Sequence, residues 1–80
     1  MTYGEVIAKR LQEICAEKGI TINRLATLSG IRQSTLENIV GGHTNNPSLK
    51  TLHRIATGLN MTVSQLLDFP MLNEQRIDNE

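Results

Sequence analysis

The side chains that most often serve as nucleophile, general base or metal ligand near neutral pH are scarce in this sequence. There is one cysteine, Cys15, and there are two histidines, His43 and His53. Neither histidine has a neighbouring Cys or a His-x-x-x-His spacing that would hold a metal ion. Gly41-Gly42 leads into His43-Thr44 rather than Lys-Ser/Thr, so no phosphate-cradling loop is present. Nucleophile, base and pocket are not assembled by any spacing, and no catalytic residue, metal or cofactor is expected. Cys15 has no disulfide partner. It falls at helical spacing with Leu11 and Ile14 and reads as a small core residue. A redox sensor would need exposure and a lowered pKa, which the sequence does not display.

A different chemistry, hydrogen bonding to base edges, is offered by residues 33–40. At about 100° per residue, Leu36, Ile39 and Val40 share one side of a helix. Ser34 and Asn38 point the opposite way, Glu37 lies on a flank, and Gln33 projects from the amino end. Gln and Asn bond adenine N6 and N7 bidentately, and Ser or Thr bond bases or phosphates. Eight helical residues make a rod about 12 Å long, and the major groove of B-DNA is about 12 Å wide. An ordinary solvated face has the same look, so spacing alone leaves both readings open.

Helix punctuation around this segment is dense, and no convincing alternation of strand type is found. Thr2-Tyr3-Gly4-Glu5 fits a capping box opening a helix over about 3–18, with Ile7, Leu11, Ile14 and Cys15 on its apolar stripe and Gly19 as its stop. Thr21 caps a second, short helix with Ile22, Leu25 and Ala26 inward, ending near Leu28 before Ser29-Gly30. The third helix is 33–40, ended by Gly41-Gly42. Residues 43–47 form a loop in which Pro47 holds Asn46 extended. Ser48 caps a fourth helix with Leu49, Leu52, Ile55, Ala56 and Leu59 along its stripe. Asn60 takes a left-handed exit, and Thr62-Val63-Ser64-Gln65 opens a fifth helix with Val63, Leu66 and Leu67 inward. The fold class is therefore all-α, five helices around one core, with a body over 1–68 and an acidic tail over 69–80. Phe69, Met71 and Leu72 either cover the end of the bundle or form a dimer contact.

Composition limits what this body does. Eighty residues make one small domain, which buries only about 60% of the surface of its unfolded chain. Hydrophobic residues at 39% and charged residues at 20% describe an ordinary soluble protein. Tyr3 and Phe69 are the only aromatics, which argues against stacking platforms for single-stranded nucleic acid. The formal net charge is zero, although duplex-binding domains are usually basic. The charge is uneven: residues 1–54 hold seven Lys/Arg against four Glu, and the rest holds Arg76 against Asp68, Glu74, Asp78 and Glu80. No secretory leader or spanning apolar run is visible, so a reducing cytoplasm is expected, with no membrane association.

The two short helices at 22–28 and 33–40, joined through Ser29-Gly30, make the helix-turn-helix arrangement. The run Leu25-Ala26-x-x-Ser29-Gly30-Ile31-x-Gln33-Ser34-Thr35-Leu36-x-x-Ile39, followed by Asn46-Pro47-Ser48-Leu49-x-Thr51-Leu52-x-x-Ile55-Ala56-x-x-Leu59-x-Met61-Thr62-Val63-x-x-Leu66, closely resembles the phage repressor/Cro family of helix-turn-helix proteins, the xenobiotic-response-element (XRE) type. The resemblance spans about residues 5–68. It implies a lambda-repressor-like five-helix fold, docking of the third helix in the major groove, and a homodimer on a palindromic operator in double-stranded DNA. By position, Gln33, Ser34 and Asn38 match the family's base-reading places. Thr21, Thr35, Gly42, His43, Thr44 and Asn45 match places that follow the phosphate backbone.

Two departures from the family pattern stand out. Arg32 occupies a position where the family often has a Ser or Thr cap. A cation there opposes the helix dipole by about 0.3–1 kcal/mol, so Arg32 is expected to be kept for a phosphate or guanine contact. The loop at 43–46 lacks the family's usual Lys or Arg. That predicts phosphate binding that is weaker or more sensitive to pH, with His43 either a cation under mildly acidic conditions or an ordinary loop residue. Ser34-Thr35-Leu36-Glu37 also fits a capping box, which would start the helix later and leave Gln33 outside it. The implied function is a small transcriptional regulator, a repressor by type. The alternatives are an autoregulating antitoxin with a protein partner, or a protein-interaction module that has lost DNA binding.

Overall fold

The computed structural model describes residues 2–44 and 46–73. It contains α1 (Tyr3–Lys18), α2 (Ile22–Ser29), α3 (Gln33–Val40), α4 (Leu49–Gly58), α5 (Val63–Leu67) and α6 (Pro70–Asn73). The first five are the helices expected from the caps and stripes, and the all-α class holds. At α1, Thr2 Oγ1 accepts from the Glu5 N–H at 3.2 Å, while the Thr2 N–H donates to Glu5 Oε1 at 2.8 Å. The same reciprocal pair closes between Thr62 and Gln65 at 2.9 and 3.0 Å. Thr21 and Ser48 cap α2 and α4 by accepting from the N–H groups of Arg24 and Thr51. Asn60 leaves α4 at φ 60°, the left-handed conformation expected of it.

A sixth helix follows α5, and Phe69 before it is buried. Phe69 is 9% exposed and belongs to the core, with Met71 and Leu72 packed against it. Of the two roles open to Phe69, the structure gives it the cover of the bundle end. Pro70 suits the first position of the new turn, where a missing N–H costs nothing. Asn73 Nδ2 closes the turn by donating to Leu67 O at 2.8 Å and Phe69 O at 3.2 Å. Residues 74–80, most of the acidic tail, lie outside the described residues, as does Asn45.

The core is built from the stripes of α1 to α5, except that Leu49, expected on the stripe of α4, is 68% exposed: it is the first residue of that helix and lies ahead of the turn that packs on α2. Val6, Leu11, Leu25, Leu36, Ile55 and Leu66 are almost wholly excluded from solvent. α2 packs most extensively on α4, and α3 rests on α1 and α2. The α2–α4 contact is close enough to involve backbone. A Cβ on Gly58 would collide with Ser29 Oγ and stand 3.0 Å from the Ser29 nitrogen and 3.2 Å from the Leu28 carbonyl carbon. Glycine is therefore the residue that lets the end of α2 seat on the last turn of α4. α1 is joined to the far end of the chain through Arg10. Its Nε donates to Leu66 O at 3.1 Å and its Nη2 to Gln65 O at 3.2 Å, and the guanidinium lies 5.1 Å from the Phe69 ring centre.

Candidate nucleic-acid interface

α3 is positioned from both ends. At its start the chain leaves α2 through Gly30 at φ 67°, where the Ile31 N–H returns to Ala26 O at 3.1 Å. The left-handed residue reverses the chain in two steps, so α3 begins at Gln33 and crosses α2. Arg32 stands at the N-cap position with no side-chain cap bond. The alternative capping box at Ser34 is not formed, because Gln33 and Ser34 are already helical. The family register is the observed one.

At the other end, Gln12 Nε2 of α1 donates to Val40 O at 2.7 Å. Gln12 was not singled out from the sequence. Its acceptor is a backbone carbonyl 28 residues away, which leaves no local pattern. The inner face of α3 is anchored by Leu36 (0% exposed), Ile39 (2%) and Val40 (9%).

The outer face is open. Arg32, Gln33, Ser34, Thr35, Glu37 and Asn38 are all exposed. None of their side chains hydrogen-bonds or ion-pairs with another described residue. Amide, hydroxyl, guanidinium and carboxylate groups thus stand together on a side of α3 that no described element covers. Thr21, at the start of α2, is exposed but uses its oxygen as a cap acceptor, leaving only the hydroxyl proton to donate.

The loop after α3 is less free than its sequence suggests. The Gly42 N–H donates to Ile39 O at 3.1 Å, and the His43 N–H donates to Asn38 O at 2.9 Å. Those two backbone donors are committed to the helix exit, so Gly42 can serve a phosphate only by letting the loop approach closely. The His43 side chain is exposed and lies against Gly41, whose added Cβ would come within 3.0 Å of the ring. Thr44 is half-buried.

Other chemistry finds little support among the described residues. No group of three His, Cys, Asp or Glu is placed to hold a metal ion, and no helix is long and apolar enough to cross a membrane. Cys15 is buried, and burial pushes its thiol pKa up, away from a reactive thiolate. A cleft of about 540 Å³ between α1 and the α4–α5 turn is lined by Arg10, Glu17, Lys18, Met61 and Asp68 among others, with no His, Cys or Ser.

Residues 10–71 match the Cro/C1-type HTH DNA-binding domain family. The chain is 32% identical over 63 residues to the HTH-type transcriptional regulator SinR of Bacillus subtilis (strain 168), covering 79% of this chain and 57% of that relative. It therefore spans little more than half the length of that curated relative. Among solved structures, the prophage Lp1 protein 11 superposes with a TM-score of 0.80 at 35% identity, covering 92% of this chain and 97% of the other. SinR, the master regulator for biofilm formation, solved in complex with DNA, superposes with a TM-score of 0.69 at 32% identity, covering 78% and 98%.

Proposed function

The chain belongs to the Cro/C1-type helix-turn-helix DNA-binding family, and from that premise we propose that it is a sequence-specific transcriptional regulator that lays α3 in the major groove of duplex DNA. The observation that carries this reading is the uncovered outer face of α3, whose polar groups are exposed and without partners among the described residues. Gln33, Ser34 and Asn38 read base edges. Arg32, unneeded as a cap, reaches a phosphate or a guanine. Thr21, Thr35, His43, Thr44 and Asn45 follow the phosphates, and Gly42 lets the loop come close to them.

One helix of eight residues reads only a few base pairs. The protein therefore acts as a homodimer on a palindromic operator, its half-sites one helical turn apart. Its action is to occupy that operator, which is repression in the simplest arrangement, and it needs no catalytic step or cofactor. The cytoplasm, where the chromosome of a prokaryotic host lies, is the compartment this requires.

The test is selection of the purified chain against random duplex DNA at about physiological salt, with Gln33→Ala in parallel. An enriched inverted repeat, altered at defined positions by the variant, is the expected result. No enrichment from a folded protein, even at reduced salt, would favour a protein-interaction module or an antitoxin held by its partner. The zero net charge of the sequence is what supports that second reading.

A further inference from the structure

Resting on that DNA-reading role, we propose that Glu37 is a specificity determinant of α3, its carboxylate accepting a hydrogen bond from the N4 amino group of a cytosine in each half-site. Glu37 is exposed and makes no ion pair with a described cation. Viewed down the helix at about 100° per residue, it falls between Gln33 and Ser34, about 40° from the first and about 60° from the second. It stands one turn further along α3 than both. Any seating that brings Gln33 and Ser34 to base edges brings Glu37 into the same groove.

What a carboxylate does there follows from its charge and its lack of a donor. Ionised, it only accepts. In the major groove, guanine offers the acceptors O6 and N7 and thymine offers the acceptor O4. These repel it. Adenine offers an amino donor beside an acceptor, N7, whereas cytosine offers the N4 amino group alone. Cytosine is the base whose edge satisfies Glu37 without opposing it. The surrounding phosphates repel the carboxylate at every site, so an unmatched sequence is penalised twice. Glu37 thus lowers binding to DNA in general and spares the sites that carry its partner base.

The experiment is the same duplex selection with the wild type, Glu37→Gln and Glu37→Ala, each first shown by thermal melting to be folded. The expected wild-type motif carries a cytosine at one defined position per half-site, and replacing that pair weakens binding about tenfold. Glu37→Gln should turn the preference at that position to adenine, which a glutamine matches bidentately. Glu37→Ala should leave no preference there, and both variants should bind random duplex more tightly than the wild type. A wild-type motif that both variants reproduce unchanged at every position overturns the role of Glu37 and leaves the DNA-reading function standing. No motif from folded wild-type protein overturns the DNA-reading function itself, and the role of Glu37 with it.

Discussion

Burial divides the residues of α3 into two sets that answer to different measurements. Leu36 is fully buried, so Leu36→Ala removes packing atoms and leaves a cavity, at a cost of about 2–5 kcal/mol. In a domain of this size that lowers the melting temperature by roughly 10 °C or more. Gln33 is exposed and bonds to no described residue, so Gln33→Ala should change stability by no more than about 0.5 kcal/mol while altering sequence preference. Calorimetry or thermal circular dichroism on the pair checks this, and equal destabilisation would contradict the two faces described. This division was legible in the sequence, because the 3.6-residue period separates Leu36, Ile39 and Val40 from Ser34 and Asn38. The commitment of the Gly42 and His43 amides was not legible, since a turn's hydrogen bonds depend on backbone angles that Gly-Gly leaves open.

Among the elements, helix starts were the best-written features. Threonine or serine at four N-caps, two of them in capping boxes, placed α1, α2, α4 and α5. The seat between α2 and α4 was hidden. Gly58 looks like an ordinary weak spot near a helix end, and its use is visible only against Ser29 and Leu28 in three dimensions. Gly58→Ala normally favours a helix by about 1 kcal/mol. Here the added methyl collides with the Ser29 hydroxyl and crowds the Ser29 nitrogen at 3.0 Å, backbone that yields only if α2 shifts. The substitution should therefore destabilise the fold by about 1–3 kcal/mol, read as a lower urea midpoint with an unchanged slope. A stabilising result would show that the two helices do not approach as closely as described. α2 carries the turn into α3, so the same variant should also weaken operator binding in the folded protein.

For the molecule as a whole, the clasp of Arg10 on residues 65–69 ties the first helix to the far end of the described chain. The sequence left Phe69 undecided because an aromatic residue after a short helix carries no period to place it. Arg10 was equally silent, since a charged residue on an amphipathic helix usually faces water. Arg10→Ala removes two hydrogen bonds from a cation and a ring contact at 5.1 Å. The loss should be about 1–3 kcal/mol, discounted for partial exposure. Arg10→Lys should recover only part of it, because the single ammonium nitrogen of lysine has no rigid fork to reach both carbonyls from two nitrogens and no flat face to lie over the ring. Chemical denaturation of the three proteins checks this order, and equal stability of all three would remove the clasp from the account.

Arg10 and its carbonyl acceptors are 55 and 56 residues apart in the chain, so the clasp closes a loop that contains most of the described body. Loop closure over that span is entropically costly until the helices between have shortened it. On a ribosome, the α1 to α4 core is synthesised before residues 65–69 emerge. The nascent domain thus passes through a stage in which its inner apolar surface is uncovered at one end, and the interval closes only when Phe69 arrives. A ribosome that pauses before residues 65–69 emerge would prolong the time in which the half-finished body is open to aggregation or proteolysis.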